Sequence, residues 1–176
     1  MVQDALRADR LIGMVMPRDD DMDTGTPLYS IGCAGRIVGF NETEDGRYLI
    51  ALSGLSRFKV GEEVRTARGY RRVKVDWSDF CGDLNEPEQD AGLVDRDKLI
   101  AILERFLADK NLTADWSSLR DAPEELVVTV LSMTCPFSTT EKQALLEAPD
   151  LAARARALTA LLEIATAEGD NTAGHG

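Results

Sequence analysis

Four side chains able to do chemistry, Cys135, Ser138, Glu141 and Lys142, fall within the eight residues CPFSTTEK. Ser138 and Lys142 are four apart, the separation at which a helix brings a hydroxyl and an amine together as a nucleophile and its base. The same spacing has a local explanation. Ser138 followed three residues later by Glu141 is a capping box, in which each side chain accepts from the other's otherwise free backbone N–H. Capping leaves Lys142 solvated on the first turn, whereas a lysine base needs burial to lower its pKa. Cys135, ahead of Pro136 at the end of the preceding helix, reads as a buried structural thiol, and Phe137 as a hydrophobic staple against the stem of Lys142 or its neighbours. The stretch is expected to be architecture: helix end, proline break, capping box, new helix.

Other chemistry fails on residue type or spacing. The single histidine, His175, lies in a glycine-containing tail where nothing would position an imidazole for Ser-His-Asp or Cys-His catalysis. No P-loop pattern occurs, and Gly32, Gly35 and Gly39 do not have dinucleotide-binding spacing, so no cofactor is expected. Asp19, Asp21 and Asp23 alternate as in a calcium loop, but Thr24 and Ser30 stand where the loop's glycine and bidentate glutamate belong. No metal site is expected. The formal net charge of −11 is shared by both halves, an arrangement that repels phosphate backbones and anionic lipid. The one basic patch, RTARGYRR, with Arg65, Arg68, Arg71 and Arg72 around Tyr70, is the alternative nucleic-acid surface. Its plainer reading is a solvated connection balanced by Glu62, Glu63 and Asp76.

The elements that would position these groups change character near residue 90. Up to that point apolar residues alternate or come in short runs between turn signals: LIGMVMP closed by Pro17, a series of strands through YSIGCAGRIVGF and RYLIALSGLSRFKV, and YRRVKVDW. EDG at 44–46 is a hairpin turn, since glycine takes the positive φ such turns demand. Beyond residue 90 the period becomes helical. Asp95 caps a helix with Leu99, Ile102, Leu103, Phe106 and Leu107 on one face. Pro123 opens a second, with Leu126, Val127, Val130 and Leu131 as its stripe. Two more follow, from Ser138 to about Ala148 and from Asp150 to about Ala167, the last with Leu151, Leu158, Leu161 and Leu162 inward. The expected organisation is a β subdomain over 1–90, a polar linker over 81–94, a helical subdomain over 91–167 and a flexible tail over 168–176.

At 176 residues, 44% hydrophobic and 29% charged, the chain is long enough for a sizeable core and has no apolar run that would span a membrane. Its N-terminus lacks the apolar stretch of a signal peptide, and three widely spaced cysteines suit separate reduced thiols, so a cytoplasmic location is expected.

Three stretches, PLYSIGCAGRIVGFNETEDGRYLIALSGLSRFKV, YRRVKVDW and CPFSTTEKQALLEAPDLAARARALTALLE, resemble the substrate-binding N-terminal domain of the Lon protease family, over roughly residues 5–165. The match is to the short stand-alone form found in bacteria. The resemblance implies an α+β fold, a PUA-like, mostly antiparallel β-pseudobarrel followed by a C-terminal helical bundle. It implies a non-catalytic role in binding unfolded or tagged polypeptide, with a separate ATP-dependent protease as partner, since the family's ATPase and Ser-Lys protease signatures are absent here. Members usually open with a further strand pair, and MVQDALRADR starts inside the helix that follows it. The barrel is therefore expected to have an exposed edge that a second copy could cover in a homodimer. Extended polypeptide would be captured in an apolar groove or at a sheet edge, with Met14, Met16, Tyr29 and Phe40 as candidate contacts. A PUA-like RNA-binding module using the 65–72 arginines is the alternative function.

Overall fold

The computed structural model describes residues 1–18, 27–65, 67, 69–85, 92, 95–110 and 112–173, with side chains as far as residue 167. The chain is α+β, as its sequence predicts, and divides into two compact units, Met1–Glu86 and Pro87–Gly176.

In the first unit a short helix α1 (Val2–Leu6) leads into four antiparallel strands, β1 (Leu11–Met14), β2 (Ile31–Glu42), β3 (Tyr48–Val64) and β4 (Arg72–Asp76), hydrogen-bonded in that linear order. The β2–β3 hairpin turns through Gly46 at φ +77°, where a side chain would be strained. Sequence spacing suggests several short strands here, but β3 is a single strand of 17 residues. Register shifts at Ala34/Gly35, Ile37/Gly39 and Val60/Glu63 bend the ladder and let one long strand do the work of several. Gly32 is required by close packing. A Cβ there would lie 2.7 Å from the Met14 carbonyl oxygen and 2.9 Å from the Phe58 ring.

A kinked 3₁₀ segment, Ser78–Leu84, packs on β3. It explains why Ser56, Arg57 and Phe58 are buried in succession where a half-covered strand would alternate. The Arg57 guanidinium forms a fork on Asp83, Nε to Oδ2 at 2.8 Å and Nη2 to Oδ1 at 2.7 Å, and stacks over Phe80 at 4.5 Å. The first residues of the polar stretch 81–94 are thus a packed element and not linker.

The second unit contains α2 (Arg96–Asp109), α3 (Trp116–Asp121), α4 (Glu124–Thr134), α5 (Thr139–Glu147) and α6 (Leu151–Ala173). α2 buries the predicted stripe of Leu99, Ile102, Leu103, Phe106 and Leu107 against Val127, Val128, Leu131, Leu145, Leu158 and Leu162. In α4 the buried face is Val127, Val128 and Leu131, whereas Leu126 and Val130, expected inward, are exposed. The run LVVTVL is apolar on nearly every side, so its period does not select a face. α6 continues to Ala173, beyond Ala167 where its apolar pattern fades.

Several helix ends are satisfied by side chains. Asp95, Asp115, Ser138 and Asp150 accept from free backbone N–H groups at the starts of α2, α3, α5 and α6, each such cap contributing about 1 kcal/mol. At the other ends cations donate to late carbonyls: Arg96 to Arg120 and Ala122 after α3, Lys142 to Met133 in α4, and Arg154 to Leu145 in α5. Positive charge there also interacts favourably with the negative end of the helix dipole.

Candidate polypeptide-binding surface

The capping box at Ser138 is complete, with both Ser138 N–H and Oγ–H on Glu141 Oε2 at 2.7 Å and Glu141 N–H returning to Ser138 Oγ at 3.3 Å. Hydrogen bonds from Ser138 hold the Glu141 carboxyl below its usual pKa. Lys142 is spent on the Met133 carbonyl at 3.2 Å, so the Ser138–Lys142 dyad does not form. Cys135 is only 4% exposed, and desolvation pushes its thiol up to about 11, against a smaller opposing effect of Lys142. A thiol so held is neutral at physiological pH and a poor nucleophile. Phe137 packs on Phe106, ring centroids 6.0 Å apart, against the helical core. Among the described residues no group of His, Cys, Asp and Glu is placed to hold a metal ion; Asp19, Asp21 and Asp23 of the calcium-like stretch lie outside them, as does His175.

The alternative basic patch is partly neutralised. Arg71 forks onto Glu63, with Nη2 to Oε2 at 2.9 Å, lowering the Glu63 pKa and raising that of Arg71. Glu63, Val64, Arg65, Gly69, Tyr70 and Arg71 line an open depression of about 680 Å3. The Tyr70 hydroxyl donates to Asp4 at 3.1 Å. Arg72 begins the edge strand β4, paired with Val64, and Arg68 lies outside the described residues.

The predicted polypeptide contacts fall into two places. Met16 O accepts from Tyr29 N–H at 3.0 Å, and Met14 is two residues upstream, so these three sit at one end of the sheet. Met14 is exposed, while Met16 and Tyr29 are half-buried, with Arg18 5.7 Å over the Tyr29 ring. Phe40 lies far along β2: Met14 is opposite Cys33, seven residues earlier, a distance of roughly 20 Å at the rise of a β-strand. There Phe40 stacks on Tyr48 at 5.1 Å, and Gln3 of α1 donates to the Tyr48 hydroxyl at 2.7 Å. The four residues thus divide between one end of the sheet and the far part of β2.

Sequence reading passed over the face of the hairpin opposite Phe40. Exposure alternates through Leu49, Ile50, Ala51, Leu52 and Ser53, with the odd positions out.

A family model of the ATP-dependent protease La (LON) substrate-binding domain matches residues 1–163. The chain belongs to this family. It is 29% identical over 167 residues to Lon protease 2 of Myxococcus xanthus, covering 92% of this chain and 20% of that protein. Lon protease 2 of Sorangium cellulosum (strain So ce56) is 27% identical over 172 residues, with 92% and 21% covered. The chain therefore spans about a fifth of the length of these curated relatives. The fold is shared with the N terminal domain of Mycobacterium avium complex Lon protease, at TM-score 0.53 and 15% identity over 86% of this chain and 90% of that one. A Lon N-terminal domain protein from Xanthomonas campestris gives TM-score 0.51 and 21% identity over 88% and 89%. The match is to the Lon substrate-binding domain, and no catalytic domain is matched. No helix among the described residues is long and apolar enough to cross a membrane.

Proposed function

We propose that this chain is a non-catalytic polypeptide-recognition module that binds unfolded or tagged protein, in the cytoplasm, for a separate ATP-dependent protease. The observation that carries the reading is the match of residues 1–163 to a substrate-binding domain. The chemistry agrees with it: the candidate nucleophiles are a helix cap and a buried neutral thiol. Extended chain would be held by apolar contact and by sheet-edge hydrogen bonding, with Met14, Met16, Tyr29 and Phe40 as contacts.

The test is fluorescence anisotropy of the purified protein against a labelled unfolded polypeptide and a labelled RNA, each at low and high salt. Binding to the polypeptide that survives high salt is expected. Met14→Ser should weaken it severalfold without moving the melting temperature, because Met14 is exposed. Binding to neither ligand, or salt-sensitive binding to RNA alone, would overturn the reading.

A further inference from the structure

One face of the β2–β3 hairpin, with β1 beside it, is built differently from the rest of this acidic molecule. Arg36 stands between Leu11 of β1 and Ser53 of β3 as a three-strand row, and directly opposed residues share a face. Further along the same face come Val38, Ala51 and Leu49. Leu11, Val38 and Leu49 are 43%, 64% and 63% exposed, while their chain neighbours Ile12 and Ile37 are buried at 5% and 3%. None of these six residues is acidic, although residues 1–90 carry 17 acidic against 12 basic groups. Arg36 is exposed and has no ion-pair partner among the described residues, whereas Arg57 and Arg71 are matched to carboxylates. Among these described residues the face is thus aliphatic, without a carboxylate, and marked by a guanidinium that has no ion-pair partner among them.

The geometry points to this face as the seat of an unfolded polypeptide segment that carries an aspartate or glutamate beside leucine- or valine-like residues. The inference rests on the polypeptide-recognition reading and specifies which polypeptides are taken. Charge complementarity selects the occupant: a carboxylate on the segment pairs with Arg36, and its aliphatic neighbours cover Val38 and Leu49. From Arg36 to Asn41, opposite Leu49, is five strand residues, so the face accommodates about five extended residues. A lysine-rich segment gains nothing at Arg36, and the acidic surroundings that would attract it lie elsewhere.

Three labelled, unstructured 20-residue peptides of the same leucine and valine content, bearing glutamate, glutamine or lysine at the intervening positions, test this against the full chain. The expected affinity order is glutamate, glutamine, lysine, with about fivefold separating the first two, the upper range of one exposed ion pair. Arg36→Glu should invert the order of the glutamate and lysine peptides with the melting temperature unchanged. Leu49→Thr should weaken all three alike. Binding of the three peptides with equal affinity, or an order that Arg36→Glu leaves intact, overturns the inference while the polypeptide-recognition reading stands. No binding of any peptide removes both. If Arg36→Glu and Leu49→Thr change instead the mass measured by light scattering, the face joins copies of the chain and the inference is overturned.

Discussion

Arg57 shows how a single buried charge can organise an element far away in sequence. Its side chain is 8% exposed and that of Asp83 20%, so both charges are largely withdrawn from water and depend on one another. Asp83 Oδ2 also accepts the Arg57 backbone N–H at 2.9 Å, tying main chain and side chain to one carboxylate. Removing one member of such a pair costs more than replacing both, because it strands a buried charge. Asp83→Ala should therefore lower stability by about 3 kcal/mol, read from urea denaturation, while the double variant Arg57→Met, Asp83→Leu should lose much less. A loss below about 1 kcal/mol for Asp83→Ala would mean that water reaches the guanidinium. The fork is invisible in LSRFKV, which reads only as a strand, since its partner is 26 residues on. The capping box, in contrast, was legible because both partners lie within four residues and the chemistry is local.

At the scale of elements, legibility followed how strongly the pattern restricts the face. α2 has polar residues among its buried leucines, and the five predicted core positions are all buried, joined by Ile100. α4 lacks that contrast, and its face was set by packing against α5 and α6 within the shared core instead. The short α3 was not expected at all. Its six residues are carried by Asp115, which accepts from Ser117 and Ser118, and by Arg96, which holds the far carbonyls. Hydrogen bonds from those serines depress the Asp115 pKa to about 2, so the cap stays charged and effective above that range and is lost as pH falls through it. For α5 the cap is testable without titration. Ser138→Ala removes one half of a reciprocal pair and should cost about 1 kcal/mol in thermal or urea denaturation. Ser138→Asp, which can still accept from the Glu141 N–H, should recover part of it. If Ser138→Ala is neutral, α5 is held by Leu145 and its neighbours alone and the box is incidental.

The whole molecule consists of two units with unequal cores. In Pro87–Gly176, thirteen buried residues from Leu99 to Leu162 form one cluster, all drawn from that unit. Among the described residues of Met1–Glu86 the large buried side chains are Ile12, Ile37, Phe58, Phe80 and the Arg57 fork, a modest set for a domain in the size range where burial is marginal. Along the chain the apolar pattern changes from period two to period 3.6, and each period demands its own kind of partner surface. What the pattern could not convey was the exposed Arg36 face, since a bare strand face and a covered one alternate identically in sequence. Expressed alone, residues 87–176 should fold with a helical circular-dichroism spectrum and a cooperative melt. Residues 1–86 should melt at lower temperature, or unfold, and be stabilised by a ligand peptide through mass action if they carry the binding surface. A fragment 87–176 without a cooperative transition would show that the helical core is completed from outside its own unit. The separation would then be one of chain geometry and not of stability, and recognition by the β unit could not be assigned independently of the helices.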